Sequence, residues 1–443
     1  MGNLETLRHI VANLHVEPLL QGGIRADNAQ HVPFARARLC PQGYVGIRKE
    51  GAEALSDLAL ALFQADPAYR RGCKLKELTT RLFELLIEKF GTRSASEPIT
   101  PYDVEMVEQA IADWFKERSF SFHFFMPCVL TPRNAPPFAI GPVSFLHLED
   151  FVGRQQHQAQ EEFETFMGAM TRDMRVHRAD WIAEVDVRDS LESRAEELAD
   201  VAVDIALTAI QLAAHPDGML HHLARMTSRT TAAFKGTPSH RSDGRLATSV
   251  TSTRPGLLLL DGNLQRILVN NVALLRTLGA QIGTFLNGNG SAPILGQSLV
   301  DAAYWAHEAF AEPLDTIAIP KLETAIEVLL RGESAQGAKA RLKQAIRAFY
   351  GLNETDLISP YSQTSVKRFV DDLVTDRSRI LHGTWSTLNH TLEAGREGLQ
   401  NFVIDLLKRY ILALKEYITS ENPTDNCTAF LAFVERRQQA RGF

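Results

Sequence analysis

From Leu264 to Phe443 apolar residues recur at helical spacing with few interruptions, and this period constrains the fold more than any other feature of the chain. The breaks are local: the Asn287-Gly288-Asn289-Gly290-Ser291 loop, Pro313, Pro320 and Ser359-Pro360. They divide the stretch into candidate helices at 264–285, 297–311, 321–331, 336–350, 362–382, 395–420 and 428–440. Amphipathic helices joined by short connections bury their apolar stripes against one another, so this half is expected to be a helical bundle.

The first half reads differently. Leu55, Leu58 and Leu62, and then Leu82, Leu85 and Leu86, mark helices over 53–66 and 75–90, with Pro67 between them. Thr100 followed by Pro101 and Asp103 is an N-cap with proline at the first helical position, opening a helix that runs to about Arg118. Beyond it, 120–130 and 138–148 are aromatic-rich and alternate, with Pro132–Pro137 as a turn, which predicts a strand pair. A helix over 158–175, a strand over 181–187, a helix over 191–214 and an extended stretch over 247–260 complete a mixed module. The expected fold class is therefore mainly α with a smaller α/β middle module, divided as 1–118, 119–260 and 261–443.

Composition removes several classes of function. At 443 residues and 45% hydrophobic, the chain can bury ample core without staples, and a net charge of −6 provides no broad basic surface for nucleic acid. Cys40, Cys73, Cys128 and Cys427 form no C-x-x-C pair, which argues against a zinc ribbon or a disulfide framework and fits a reducing cytoplasm. The start, Met1-Gly2-Asn3-Leu4-Glu5, lacks a basic segment before an apolar run, and no stretch reaches ~18 uninterrupted apolar residues. A cytoplasmic protein without membrane contact is expected. P-loop, H-E-x-x-H and G-x-S-x-G patterns are absent.

One constellation suits chemistry. Asp376-Arg377-Ser378-Arg379-Ile380-Leu381-His382-Gly383 contains Arg-x4-His. Cleaving RNA without a metal needs a group that titrates near neutrality to move the 2′-hydroxyl or leaving-group proton, and a fixed cation to stabilise the phosphorane-like transition state. Histidine and arginine supply these. Spacing alone does not single the pair out, since Arg118/His123 and Arg172/His177 repeat it and Arg8/His15 and Arg25/His31 approach it. The position of Arg377 and His382 inside the helical region distinguishes them.

That region carries Trp305-Ala306-His307-Glu308-Ala309, the run from Ile319 to Leu330, Tyr361 and Arg377 to Gly383, and as an ordered set over about residues 300–420 it resembles the ApeA-like branch of the HEPN superfamily. The resemblance implies an all-α HEPN-like domain, a homodimer with its active site at the subunit interface, RNA cleavage without a cofactor or metal, and use in antiviral or toxin systems. It departs from the superfamily at Ser378, where Asn, His or Asp is frequent.

Geometry argues for a dimer independently. Residues five apart on a helix point about 140° from each other, so one helix does not aim Arg377 and His382 at one phosphate, whereas two copies across a two-fold axis can. The 362–382 and 395–420 helices are the expected interface. Ser378 shares a face with His382 and can orient the imidazole, while Arg379 is a second candidate for phosphate. Glu323 is either an acid that orients His382 or positions substrate, or simply an exposed helix glutamate. Asp372 and Asp376 are expected to pair with Arg379 or Arg377 within their own helix. His221-His222 with Asp217 lacks the spacing of a metal site.

From Lys321 onward 17 basic residues face 15 acidic ones, a net of +2, which makes this the least repulsive part of the chain for RNA. The expected activity is a metal-independent endoribonuclease regulated by a trigger or partner protein acting through the first half. The rivals are a non-catalytic HEPN scaffold that binds RNA, nucleotide or protein, and a regulatory adaptor.

Overall fold

A computed structural model describes residues 2–17, 34–40, 43–91, 97–132, 135–155, 161–215, 223–226, 234–240, 246–252, 262–332, 334–360, 362–384, 395–420 and 423–440. The chain forms two compact units, Met1–Phe122 with Val187–Leu198, and His123–Asp186 with Ala199–Phe443. Among the described residues there are sixteen helices and ten strands, so the fold is mainly α with a smaller α/β part, as the periodicity predicts.

The first elements in chain order are α1 (Asn3–Ala12), β1 (Leu14–Glu17), β2 (Arg36–Cys40), β3 (Gly43–Ile47), α2 (Lys49–Ala65), α3 (Pro67–Gly72), α4 (Leu75–Phe90) and α5 (Pro101–Arg118). Leu55, Leu58 and Leu62 of α2 and Leu78, Leu82, Leu85 and Leu86 of α4 pack with Leu7, Ile10, Val107 and Ile111 into the core of the first unit. One local signal behaves as read and one does not. Pro67 is expected only to separate two helices, but Asp66 accepts from the Ala68 N–H at 2.8 Å and starts the further helix α3 at Pro67. At α5 the Asp103 carboxylate accepts from both the N–H (2.7 Å) and the hydroxyl (2.9 Å) of Thr100. The antiparallel sheet β1-β3-β2 is a departure from the mainly helical expectation. Its strands are only four or five residues long, too short to establish an alternating pattern.

The chain continues through β4 (Phe120–Val129), β5 (Phe138–Ile140), β6 (Val143–His147), α6 (Leu148–Gln155), α7 (Glu161–His177), β7 (Trp181–Ser190) and α8 (Glu192–Ala214). The five-stranded sheet has the order β5-β6-β7-β4-β8, where β8 is Ala224–Arg225. The 120–130 and 138–148 segments are therefore not a strand pair. The second folds on itself as the β5/β6 hairpin, and β7 lies between it and β4. The cause is Gly141, whose φ of +58° makes the turn that a side chain would strain. Gly141 also abuts Gly279. A further hairpin pairs β9 (Phe234–His240) with β10 (Leu246–Ser252), so the extended stretch expected at 247–260 has an unforeseen partner, and its last residues fall outside the described ones.

The remaining elements are α9 (Asn263–Asn270), α10 (Val272–Asn287), α11 (Pro293–Phe310), α12 (Asp315–Leu330), α13 (Ala335–Tyr350), α14 (Val366–Leu381), α15 (Arg396–Ile418) and α16 (Cys427–Ala440). Helices α11 and α12 form the most extensive helix pair, α14 packs on α12 and α13, and α15 touches α10, α11, α12 and α16. Tyr410 of α15 stacks edge-on against Phe430 at 4.7 Å, and both are fully buried. Pro320 does not break the chain as expected. It sits inside α12 as its sixth residue, where it gives up the one bond that an N–H there would make to the Thr316 carbonyl.

The Gly141–Gly279 approach gives a paired test. A methyl at position 279 would lie 2.4 Å from the Gly141 nitrogen and 2.9 Å from its Cα, whereas one at Gly283, a turn further along α10, meets nothing within 4 Å. Gly279→Ala should destabilise by about 1–3 kcal/mol in chemical denaturation, while Gly283→Ala should be neutral or raise stability through helix propensity. Equal effects would mean that the two glycines do not bind α10 to the hairpin.

Candidate functional site

Helix α14 places the Arg-x4-His pair. Ser365 caps its start by accepting from the Arg368 N–H at 3.3 Å. Val366, Val370, Leu373, Val374 and Ile380 form the buried stripe, which fixes the helix rotation against its neighbours. The helix ends at His382, whose N–H donates to the Ser378 carbonyl at 3.0 Å. Gly383 follows in the left-handed conformation at φ +68°. Gly383 N–H donates to Ile380 O at 3.1 Å and Thr384 N–H to Arg379 O at 2.9 Å, the paired bonds of a Schellman motif. His382 is thus held on a defined, exposed helix end.

Arg377 faces elsewhere. It lies toward α12, where its Nη1 donates to Glu327 Oε2. The pair is only partly covered, with 25% of the Arg377 side chain and 18% of Glu327 exposed. Glu323, one turn before Glu327, is 1% exposed, and neither of its carboxyl oxygens has a hydrogen-bond partner. Arg377 Nε is likewise buried without one. Burial pushes the Glu323 carboxyl up to about 8, with Arg377 pulling it back and Glu327 and Asp376 adding to the rise.

These positions revise two readings. Glu323 is not an exposed helix glutamate, because α12 turns that face inward along with Leu322 and Ile326. The charge that acts on it most is Arg377. Arg377 itself finds its carboxylate on α12 instead of within its own helix, while Asp372 pairs with Arg368 at 3.4 Å. Ser378 and Arg379 are exposed beside His382, and Ser378 meets it through the backbone carbonyl. Glu327 escaped the sequence reading. Its signal was there, since Glu323 and Glu327 are four apart on a helix whose inward residues are mostly apolar.

The competing pairs have ordinary surroundings. His123 Nδ1 lies 2.6 Å from Asp186 Oδ1 as an exposed surface pair. Arg172 and His177 are exposed at the end of α7. Arg25, His31, Tyr361, Asp217, His221 and His222 lie outside the described residues. Among the described residues, no group of three or more His, Cys, Asp or Glu is placed to hold a metal ion, and no helix is long and apolar enough to cross a membrane.

A second polar cluster is partly buried in the same unit. Arg225 donates to Asp204 Oδ1 at 2.8 Å and Oδ2 at 3.0 Å and to Asp200 Oδ1 at 2.5 Å. His307 Nδ1 is 3.1 Å from Gln211 Oε1 and its Nε2 is 3.7 Å from Asp204. This cluster ties β8 to α8 and α11. Its signal in the sequence was the set of polar residues spaced along an otherwise apolar α8. A groove of about 710 Å³ among α10, α13, α15 and α16, lined by Phe349, Tyr350, Arg409, Leu412, Phe433 and Arg437, contains neither Arg377 nor His382.

Comparison of the chain with family models, with curated proteins and with solved structures finds no match.

The Glu323 carboxyl predicts how stability depends on pH. Below its ordinary 4.5 both folded and unfolded chains hold the proton, and between 4.5 and about 8 only the folded chain does, so stability falls as pH rises through that window and levels off above it. Glu323→Gln has no charge to bury. Its gain in melting temperature over the wild type should be small at pH 5 and grow toward pH 8. A gain that is the same at both would show that Glu323 is not the titrating group.

Proposed function

We propose that the bundle formed by α10 to α16 is an endoribonuclease domain of HEPN type, acting without a metal through His382 and Arg377. The observation that carries this reading is the placement of the imidazole. His382 stands exposed on a capped helix end, five residues after an arginine with part of its side chain open to solvent.

The chemistry follows from the two groups. His382 takes the 2′-hydroxyl proton or returns one to the departing 5′-oxygen, and the 2′-oxygen attacks phosphorus to leave a 2′,3′-cyclic phosphate. Arg377 stabilises the negative charge gathering on the phosphoryl oxygens. Because the two diverge along α14, the active form is a homodimer in which one copy's His382 works beside its partner's arginine. Leu381, 62% exposed next to His382, provides an apolar contact for that interface. Arg379, exposed on the same helix end, is the nearest further contact for RNA phosphate. The first half serves as the regulatory or sensing part, the setting is antiviral defence or a toxin system, and the protein acts in the cytoplasm.

A second reading has its own observation. Arg377 is already held by Glu327, so its charge can serve to neutralise buried acid. In that case the bundle is a scaffold or adaptor that binds RNA, nucleotide or a partner protein without cutting.

Incubation of the purified protein with RNA in EDTA separates the two. Cleavage should survive chelation, yield cyclic phosphate ends and spare DNA. His382→Ala and Arg377→Ala should each lower the rate by about two orders of magnitude or more, with His123→Ala and His177→Ala within a few-fold of wild type. Wild-type cleavage by His382→Ala would reject the site, and no cleavage by the wild type would favour the scaffold.

A further inference from the structure

The group around Arg377 has fewer hydrogen bonds than its atoms can make. Arg377 bonds to Glu327 and acts electrostatically on Glu323, one turn earlier on α12, without bonding to it. Its Nε and both oxygens of Glu323 are buried without partners in the same cluster. Buried donors and acceptors that remain unpaired are costly, so a site containing both is not locked into one arrangement. The Arg377–Glu327 pair is also the part of the cluster that reaches solvent, with 25% and 18% of the two side chains exposed.

A guanidinium makes the same forked contact with a carboxylate as with a phosphate, so the two compete for one set of N–H donors. Asp372, an exposed acid five residues before Arg377 and so on a different face of α14, is paired with Arg368 and does not take part.

We propose that Glu327 is an internal competitor for Arg377, a carboxylate that holds the guanidinium until a phosphodiester from single-stranded RNA displaces it, and so sets the affinity of the site for RNA. This rests on the nuclease reading only in taking RNA as the ligand. It does not require that the RNA be cut. Glu327 is accordingly a positioning residue, since it acts on substrate through Arg377. Opening the pair leaves Arg377 facing the ligand. Glu327, at the solvent edge, is then hydrated.

The test uses the full-length protein and a fluorescent 2′-O-methyl oligoribonucleotide, which presents phosphodiesters but has no free 2′-hydroxyl and is not cleaved. Binding is read by anisotropy. Glu327→Gln should tighten the dissociation constant by about five-fold, the order expected for releasing one partly exposed ion pair. The gain should vanish when Arg377→Gln is also present. Asp372→Asn, which removes a like charge nearby, should stay within about two-fold of wild type. Should Glu327→Gln fail to fold, Glu327→Asp retains the charge with a shorter reach and should tighten binding in the same direction.

An unchanged or weaker affinity in Glu327→Gln, a gain that persists without Arg377, or no binding by either protein would each overturn the proposal. Cleavage of ordinary RNA is followed in parallel. Tightening without cleavage would support the competitor and reject the nuclease, while cleavage without tightening would do the reverse.

Discussion

Burial of acidic side chains on α12 against Arg377 is the interaction on which the geometry of the C-terminal bundle depends. A carboxyl 1% exposed with no hydrogen-bond partner cannot remain comfortably ionised, and here it is pushed up to about 8. Arg377 is the strongest of the cations that act on Glu323, against the added demand of Glu327 and Asp376. That demand draws Arg377 toward α12 and sets the rotation of α14 about its axis, together with the apolar stripe from Val366 to Ile380. Once α14 is rotated so, His382 has no freedom to face the same way. The helix repeat turns it about 140° from Arg377 and into solvent.

The split between the two residues determines what the site can be. A lone chain presents an imidazole on a helix end and a guanidinium already engaged with a carboxylate. A phosphodiester approaching His382 meets Arg379 and Ser378 first, because they share the exposed end of α14. Bringing both His382 and an arginine to one phosphate requires a second copy, which is why the nuclease reading needs a partner. The scaffold reading follows from the same contacts if the cation stays where it is. The two differ in whether Arg377 exchanges its anion.

Elsewhere the fold relies on close approach and on a few buried polar bonds. The turn joining β5 and β6 lies against α10 through two glycines, leaving no room for a side chain on either. The Arg225 cluster joins a two-residue strand to α8 and α11, doing with hydrogen bonds what so short a strand cannot do by pairing alone.

Much of the secondary structure could be read from local chemistry. The helices of the C-terminal half, the Thr100 cap and the end of α14 at Gly383 follow from apolar period, capping side chains and a left-handed glycine, all properties of a few consecutive residues. The divergence of Arg377 and His382 was equally determined by their spacing. Tertiary structure alone decided the order of the five-stranded sheet, where β7 enters between segments that looked like neighbours. It also decided that Pro320 continues a helix, that Glu323 is buried, and that Glu327 is the partner of Arg377. The physical reason is common to these cases. Strand neighbours, burial and ion pairs are set by residues tens of positions apart in the chain, and no local pattern records which of the available partners the packing brings within reach.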